Sequence, residues 1–489
     1  MSARALWTVD DMAAAMGAER RGPLPPTVSG LSIDSRTIGI GEAFFALTDR
    51  RDGHAFVGTA LAAKAGLAVV AADRVAEMSL DAPLLVVSGV LSALRALAAA
   101  ARARTHGKVI GVTGSVGKTG TKEALRLALS KDGETHASVA SYNNHWGVPL
   151  SLARAPASAD YVVLEMGMNH AGEIEPLSRL ARPHVAIITS IAPVHLEFFG
   201  SLAKIADAKA EIFRGLEPGG AAVLNRDNAQ FARLRRHAKE AGARVVSFGE
   251  HAGADARLIK CAAHADCSTV QADILGTELT YKIGSPGRHL VINSLAVLAT
   301  AVLVGADLAL AALALSDFKP TSGRGVRIEI DLPGGMLTLL DDSYNANPAS
   351  VAASLALLGQ TPIGPRGRRI AVLGDMLELG PRARSLHRGL LEAVQANGTD
   401  LVFCCGPLMQ ALWRALPASL RGGYAEDSTA LEAQVLSAVR VGDAVMVKGS
   451  LGSRMAPIVK ALQRLSVRRD SVETDAPGGG ARETASAQG

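Results

Sequence analysis

Cysteine is nearly absent from this chain of 489 residues, which holds four: Cys261, Cys267, Cys404 and Cys405. Neither close pair has zinc-ligand spacing. Four thiols in so long a chain do not make the disulfide framework of a secreted scaffold, so reduced thiols are expected. A basic patch is also missing: the formal charge is only +5 and the arginines are scattered, which speaks against a nucleic-acid partner. The first ten residues contain no basic start followed by an apolar core, so no signal peptide is read. The most apolar region, 290–315, is interrupted by Asn293, Ser294, Thr300, Gly305 and Asp307, which favours buried helices over a membrane span. No internal repeat is visible. What remains is a globular, cytoplasmic protein with several cores, at about 100–200 residues per domain.

One stretch organises the rest. Gly111-Val112-Thr113-Gly114-Ser115-Val116-Gly117-Lys118-Thr119 follows an apolar run and opens a segment of helical composition. Strand, glycine-rich turn and helix together form a phosphate cradle: backbone N–H groups turn inward, the helix N-terminus adds partial positive charge, and the lysine reaches the β and γ oxygens. Thr119 is placed for Mg²⁺. The pattern departs from a strict Walker A because Val112 stands where its first glycine belongs. A nucleoside triphosphate is the expected ligand.

Two further strands deliver polar groups beside that loop. Tyr161-Val162-Val163-Leu164 ends in Glu165, and Val185-Ala186-Ile187-Ile188-Thr189 leads to Ser190, His195 and Glu197. Taken singly, Glu165 is an ordinary strand-end carboxylate and His195 a structural histidine. Three strands presenting Lys/Thr, Glu and His at one edge read instead as a metal and phosphate site. The expected organisation is α/β in three domains: a small N-terminal α/β domain (1–105), a central P-loop ATPase-like domain with a parallel sheet (106–320), and a C-terminal Rossmann-like domain (321–466). A disordered tail (467–489) follows. Asn347 before Pro348 predicts a helix start.

These motifs together resemble the Mur ligases, over about residues 8–466. Within that family the chain looks like the branch that joins D-alanyl-D-alanine to UDP-N-acetylmuramoyl-tripeptide with ATP. The Ser343-Tyr344-Asn345-Ala346-Asn347-Pro348 stretch and the absence of an Asp-Asn-Pro-Arg signature separate it from the ligase one step earlier, and the same stretch with the first domain argues against folylpolyglutamate synthase. By the resemblance, Gly111, Thr113, Gly114, Ser115, Gly117, Lys118, Thr119 and Thr121 form the phosphate loop. Asn293 contacts adenine, and Arg324 and Asp342 grip phosphate and ribose. Thr119, Glu165, His195 and Lys209 hold two Mg²⁺, Lys209 as a carbamate; with Lys118, the last three are the catalytic set. Ser35 and Arg36 contact the uridine nucleotide, and Asn144 and His145 face the substrate; Tyr344, Asn345 and Asn347, in the same motif as Asp342, are substrate-binding, as are Asp375 and Lys448 in the amino-acid-binding loops. A monomer is expected. The remaining rival outside this class is a P-loop binding module that hydrolyses ATP without an amine.

Overall fold

The computed structural model describes residues 5–49, 51–139 and 141–466; the tail, 467–489, lies outside the described residues. Near the start, Thr8 accepts a hydrogen bond from the Asp11 N–H (3.0 Å) and so caps the helix Val9–Met16, which stops at Gly17 in the left-handed conformation. The N-terminal sheet runs, in spatial order, Glu19–Arg21, Leu84–Val87, Leu67–Ala71, Ala43–Phe45, Leu31–Ser32, and only its first strand is antiparallel. Leu84–Val87, a four-residue apolar run buried at every position, joins the sheet without any alternation to announce it.

The central sheet has nine strands. Seven of them, from Thr135–Ala137 across to Ala256–Ala263, pair in parallel, as expected. The last two, Ser268–Ile274 and Thr277–Ile283, continue the sheet antiparallel. The expected parallel sheet thus carries an antiparallel hairpin at one edge. The physical reason is local: Leu275 (φ 54) and Gly276 (φ 92) make the two-residue hairpin turn that matches strand twist. Burial alternates along Ser268–Ile274, as it does in a sheet with one wet face.

Lys108–Thr113 lies between Tyr161–Glu165 and Val185–Ile188, with Glu165 level with Val112 and Ile188 level with Thr113. The three polar strand ends therefore open side by side. The C-terminal sheet runs Val326–Leu332, Gly335–Asp342, Ala444–Lys448, Arg369–Gly374, Leu401–Cys405, Arg421–Ala425, parallel except for its first hairpin strand. One apolar core runs without a break from Trp7, Met12 and Leu97 to Leu150, Leu164 and Ile205, and so joins the N-terminal and central parts. The C-terminal sheet has separate cores on its two faces. The region 290–315 forms two helices, Arg288–Leu303 and Leu308–Ala314. No helix of the described residues is long and apolar enough to cross a membrane.

Candidate active site

The phosphate loop closes the strand Lys108–Thr113 and opens the helix Lys118–Leu129. Its two turning points admit only glycine. Gly114 has φ +148, and a Cβ there would lie 1.9 Å from Thr189 Oγ1. Gly117 has φ +89, and its Cβ would lie 2.5 Å from Asn293 Nδ2. The second contact brings the predicted adenine-side asparagine against the phosphate loop. The neighbouring strand end holds the loop in shape. Ser115 N–H donates to Ser190 O (2.8 Å), Val116 N–H to Ser190 Oγ (3.2 Å), and Thr189 Oγ1 to Val116 O (2.6 Å). Ser115 Oγ also donates to Ala192 O and receives the Ala192 N–H, which fixes the segment leading to His195. Two buried hydroxyls of the loop, Thr113 Oγ1 and Thr121 Oγ1, have no hydrogen-bond partner.

Thr119 and Glu165 meet directly: the hydroxyl donates to Glu165 Oε2 at 2.9 Å, with both residues buried. The other carboxylate oxygen receives Asn143 Nδ2 (2.8 Å). Asn143 was not singled out from the sequence, where it is one of two adjacent asparagines. The one chosen, Asn144, spends its Oδ1 on the Trp146 and Gly147 N–H groups at the start of the helix Gly147–Ala153. His145 beside it is exposed.

Lys118 donates to Gly114 O (2.7 Å). Burial lowers its pKa, while Glu165 pulls the value back up. Lys209, at the end of the helix Leu202–Ala210, is 2% exposed and makes no hydrogen bond or ion pair among the described residues. Burial first, and repulsion from Lys118 second, push its pKa well below the ordinary lysine value. An amine held toward neutrality is the form that can react with carbon dioxide.

His195 (φ 52) caps the short helix Leu196–Phe199. Its Nδ1 lies 2.5 Å from Glu378 Oε2, a residue of the C-terminal part. The approach holds the Glu378 carboxyl below its usual range. It is nevertheless misaligned as a hydrogen bond, so Nδ1 remains a buried nitrogen without a hydrogen-bond partner. Among the described residues no three His, Cys, Asp or Glu side chains cluster as metal ligands. A carboxylate, a hydroxyl and an imidazole do fit an Mg²⁺ that takes much of its shell from phosphate oxygens and water.

The C-terminal part reaches the same cleft. Arg324 Nη2 donates to Ser141 Oγ (3.0 Å), and its guanidinium lies over the Tyr344 ring, 4.2 Å from the centroid. Asp342 Oδ2 receives Lys448 Nζ (2.7 Å) and the Ser354 hydroxyl, while Lys448 also donates to Asn345 O (3.0 Å). Asn347 caps the helix Pro348–Gln360 in a capping box. Asp375 accepts the N–H groups of Leu408 (3.3 Å) and Met409 (2.7 Å). The side chains of Asn347 and Asp375 are thus committed to backbone, and that of Lys448 to Asp342. In the N-terminal part, Ser35 sits half-buried and Arg36 exposed, the latter paired with Asp34 at 2.6 Å.

Comparison with known proteins places this geometry in a family. Residues 112–301 match the Mur ligase middle domain, and residues 327–451 match the Mur ligase glutamate ligase domain. The UDP-N-acetylmuramoyl-tripeptide–D-alanyl-D-alanine ligase of Escherichia coli K12 is 36% identical over 89% of this chain and 94% of its own. The enzyme of the same name from Rickettsia prowazekii is 30% identical over 94% of this chain and 100% of its own. Among solved structures, MurF from Acinetobacter baumannii superposes with a TM-score of 0.80 at 29% identity, covering 94% of this chain and 99% of that one. MurF from Thermotoga maritima in complex with ADP gives 0.72 at 25%, covering 89% and 97%. Relatives matched along nearly their whole length, with both family segments in order, show that the chain belongs to the Mur ligase family.

Proposed function

We propose that this chain uses ATP to join D-alanyl-D-alanine to UDP-N-acetylmuramoyl-tripeptide, a cytoplasmic step of peptidoglycan precursor synthesis. The observation that carries the reading is the convergence of Lys118, the Thr119–Glu165 pair and Lys209 in the central part with Arg324 from the turn that leads into the C-terminal sheet. A phosphate site shared between two sheets suits a ligase better than a simple ATP switch, which needs no second sheet.

A carboxylate is a poor electrophile in water. The tripeptide carboxylate attacks the γ-phosphorus of ATP, giving an acyl phosphate and ADP. The dipeptide amine then attacks the acyl carbon, giving the amide, phosphate and a proton. The phosphate loop and Lys118 bind the β and γ phosphates and orient the γ-phosphorus for in-line transfer. Asn293 holds the adenine, while Arg324 and Asp342 hold phosphate and ribose. Thr119, Glu165, His195 and a carbamylated Lys209 would hold two Mg²⁺. When bound, these ions supply the positive charge that offsets repulsion between carboxylate and triphosphate. Carbamylation removes the conflict at Lys209 by turning an unpaired buried amine into an anion beside Lys118. Ser35, Arg36, Asn144 and His145 take the nucleotide-sugar side, and Tyr344 and Asn345 the dipeptide side. Contacts from both sheets close the cleft and keep water from the acyl phosphate.

The test is phosphate release from ATP. Turnover that requires both UDP-MurNAc-tripeptide and D-alanyl-D-alanine, with a pentapeptide product, is expected; release indifferent to both would leave only an ATPase.

A further inference from the structure

The helix Lys118–Leu129 carries a second lysine behind the phosphate site. Lys122 follows Thr119 on the same face of this helix and is fully buried. Its Nζ donates to Ser138 O at 2.7 Å and pairs with Glu123 Oε1 at 2.8 Å. Enclosing an ammonium costs far more than enclosing a methionine of similar volume. Packing alone therefore does not call for a lysine here, whereas a directed bond to Ser138 does.

Ser138 opens the segment that wraps around Glu165. Its N–H donates to Val163 O (3.0 Å), and its hydroxyl receives the Glu165 N–H (3.3 Å). Asn143 closes the wrap on the other side. Its Nδ2 donates to Glu165 Oε1 (2.8 Å), and its carbonyl receives the Gly167 N–H (2.8 Å). The fit is tight enough that a Cβ on Gly167 would lie 2.8 Å from Asn143 Cγ. Between these two ends, Ser141 Oγ receives Arg324 Nη2 (3.0 Å) from the C-terminal part. One segment thus orients the carboxylate beside Thr119 and meets the arginine that reaches across the cleft.

We propose that Lys122 is a positioning residue. By holding Ser138 O it anchors this segment to the phosphate-loop helix. Asn143 then keeps the Glu165 carboxylate beside Thr119, and Ser141 is set for Arg324. The inference rests on the nucleotide and metal part of the reading above. Lys122 acts through Glu165 and touches no substrate itself.

The test uses the full-length protein and calorimetric titration with ADP, without Mg²⁺ and at stepped Mg²⁺ concentrations. Lys122→Met is expected to raise the Mg²⁺ concentration that half-saturates the tightening of ADP binding by about tenfold, the effect of one lost charge-assisted contact. Its affinity for ADP without Mg²⁺ should stay within about twofold of the original. Asn143→Ala should give a similar rise, and the double variant no more than the larger of the two, since both act through one carboxylate. Lys122→Arg keeps a cationic donor and should show a smaller rise. An equal loss of ADP affinity with and without Mg²⁺ overturns the proposal, because Lys122 would then only support the phosphate loop. So does an additive double variant, or an unchanged Mg²⁺ requirement in Lys122→Met. If Lys122→Met does not fold, Lys122→Arg decides, and an unchanged requirement there is equally fatal. Failure of the nucleotide reading looks different: the unmodified protein would bind ADP no more tightly with Mg²⁺ than without, and the inference would fall with it.

Discussion

Lys209 sets stability against chemistry. A buried amine without a partner is costly, and the same burial is what prepares it to react. Lys209→Met, of similar volume, should therefore stabilise the metal-free protein by about 1–3 kcal/mol while abolishing ligation. Chemical denaturation beside an activity assay checks this; a destabilised variant would mean that the amine has a partner in solution. Gly117 makes the complementary case. Gly117→Ala forces a Cβ into the left-handed region and against Asn293, so ADP affinity measured by calorimetry should fall at least about tenfold. Asp52 supplies a pH effect away from the site. The hydrogen bond from His54 is the largest cause holding its carboxyl well below the ordinary value, with Thr48 adding to it. A depressed carboxylate stabilises the fold above its unfolded pKa of about 3.9 and loses that contribution as pH falls below it. Acid unfolding should thus be less steep in Asp52→Asn, read from melting temperature against pH.

At the scale of elements, the helix Pro348–Gln360 shows what local sequence can specify. Asn347 before Pro348 was enough to place its start, and the structure adds the reciprocal bond from Asn347 N–H to Ser350 Oγ (3.0 Å). Asn347→Ala should cost about 1 kcal/mol and leave KM for the dipeptide unchanged; a selective rise in KM would instead give this side chain a substrate contact. Other elements were silent in the sequence. Arg421–Ala425 reads Arg-Gly-Gly-Tyr-Ala and carries no apolar alternation, yet it becomes the edge strand because Leu401–Cys405 offers it a partner. Leu84–Val87 was silent for the opposite reason, being uniformly apolar and too short to show a period.

At the scale of the whole molecule, the two seams differ in kind. The N-terminal and central parts share one apolar core, reinforced by Trp7 Nε1–H to Ala153 O (2.9 Å) and Arg154 Nε–H to Leu31 O (2.7 Å). The central and C-terminal parts meet largely through polar contacts: Arg324 with Ser141, Glu378 with His195 and Glu197, and Arg327 with Ala265 O. Apolar seams hold, whereas polar ones exchange readily with water. The C-terminal part should therefore swing as a unit while the other two stay together. Small-angle scattering should show a contraction when ADP and Mg²⁺ are added, and proteolysis near residues 319–325 should slow. Nucleotide-independent scattering and cleavage would count against this hinge.

The sequence by itself determined the phosphate loop, the three polar strand ends beside it and the capped helix after Asn347, because each is written in contiguous residues whose backbone demands are local. It also carried the family signature, including Lys209 and Arg324. Only the tertiary structure decided which polar side chains are free. Asn143 rather than Asn144 reaches Glu165, Asp375 accepts the Leu408 and Met409 N–H groups, and Glu378 faces His195 across the cleft. Those assignments depend on strand order and on the meeting of two sheets. Partners such as Asn143 with Glu165, Asp375 with Met409 and Glu378 with His195 are brought together by packing, and no local spacing records that choice.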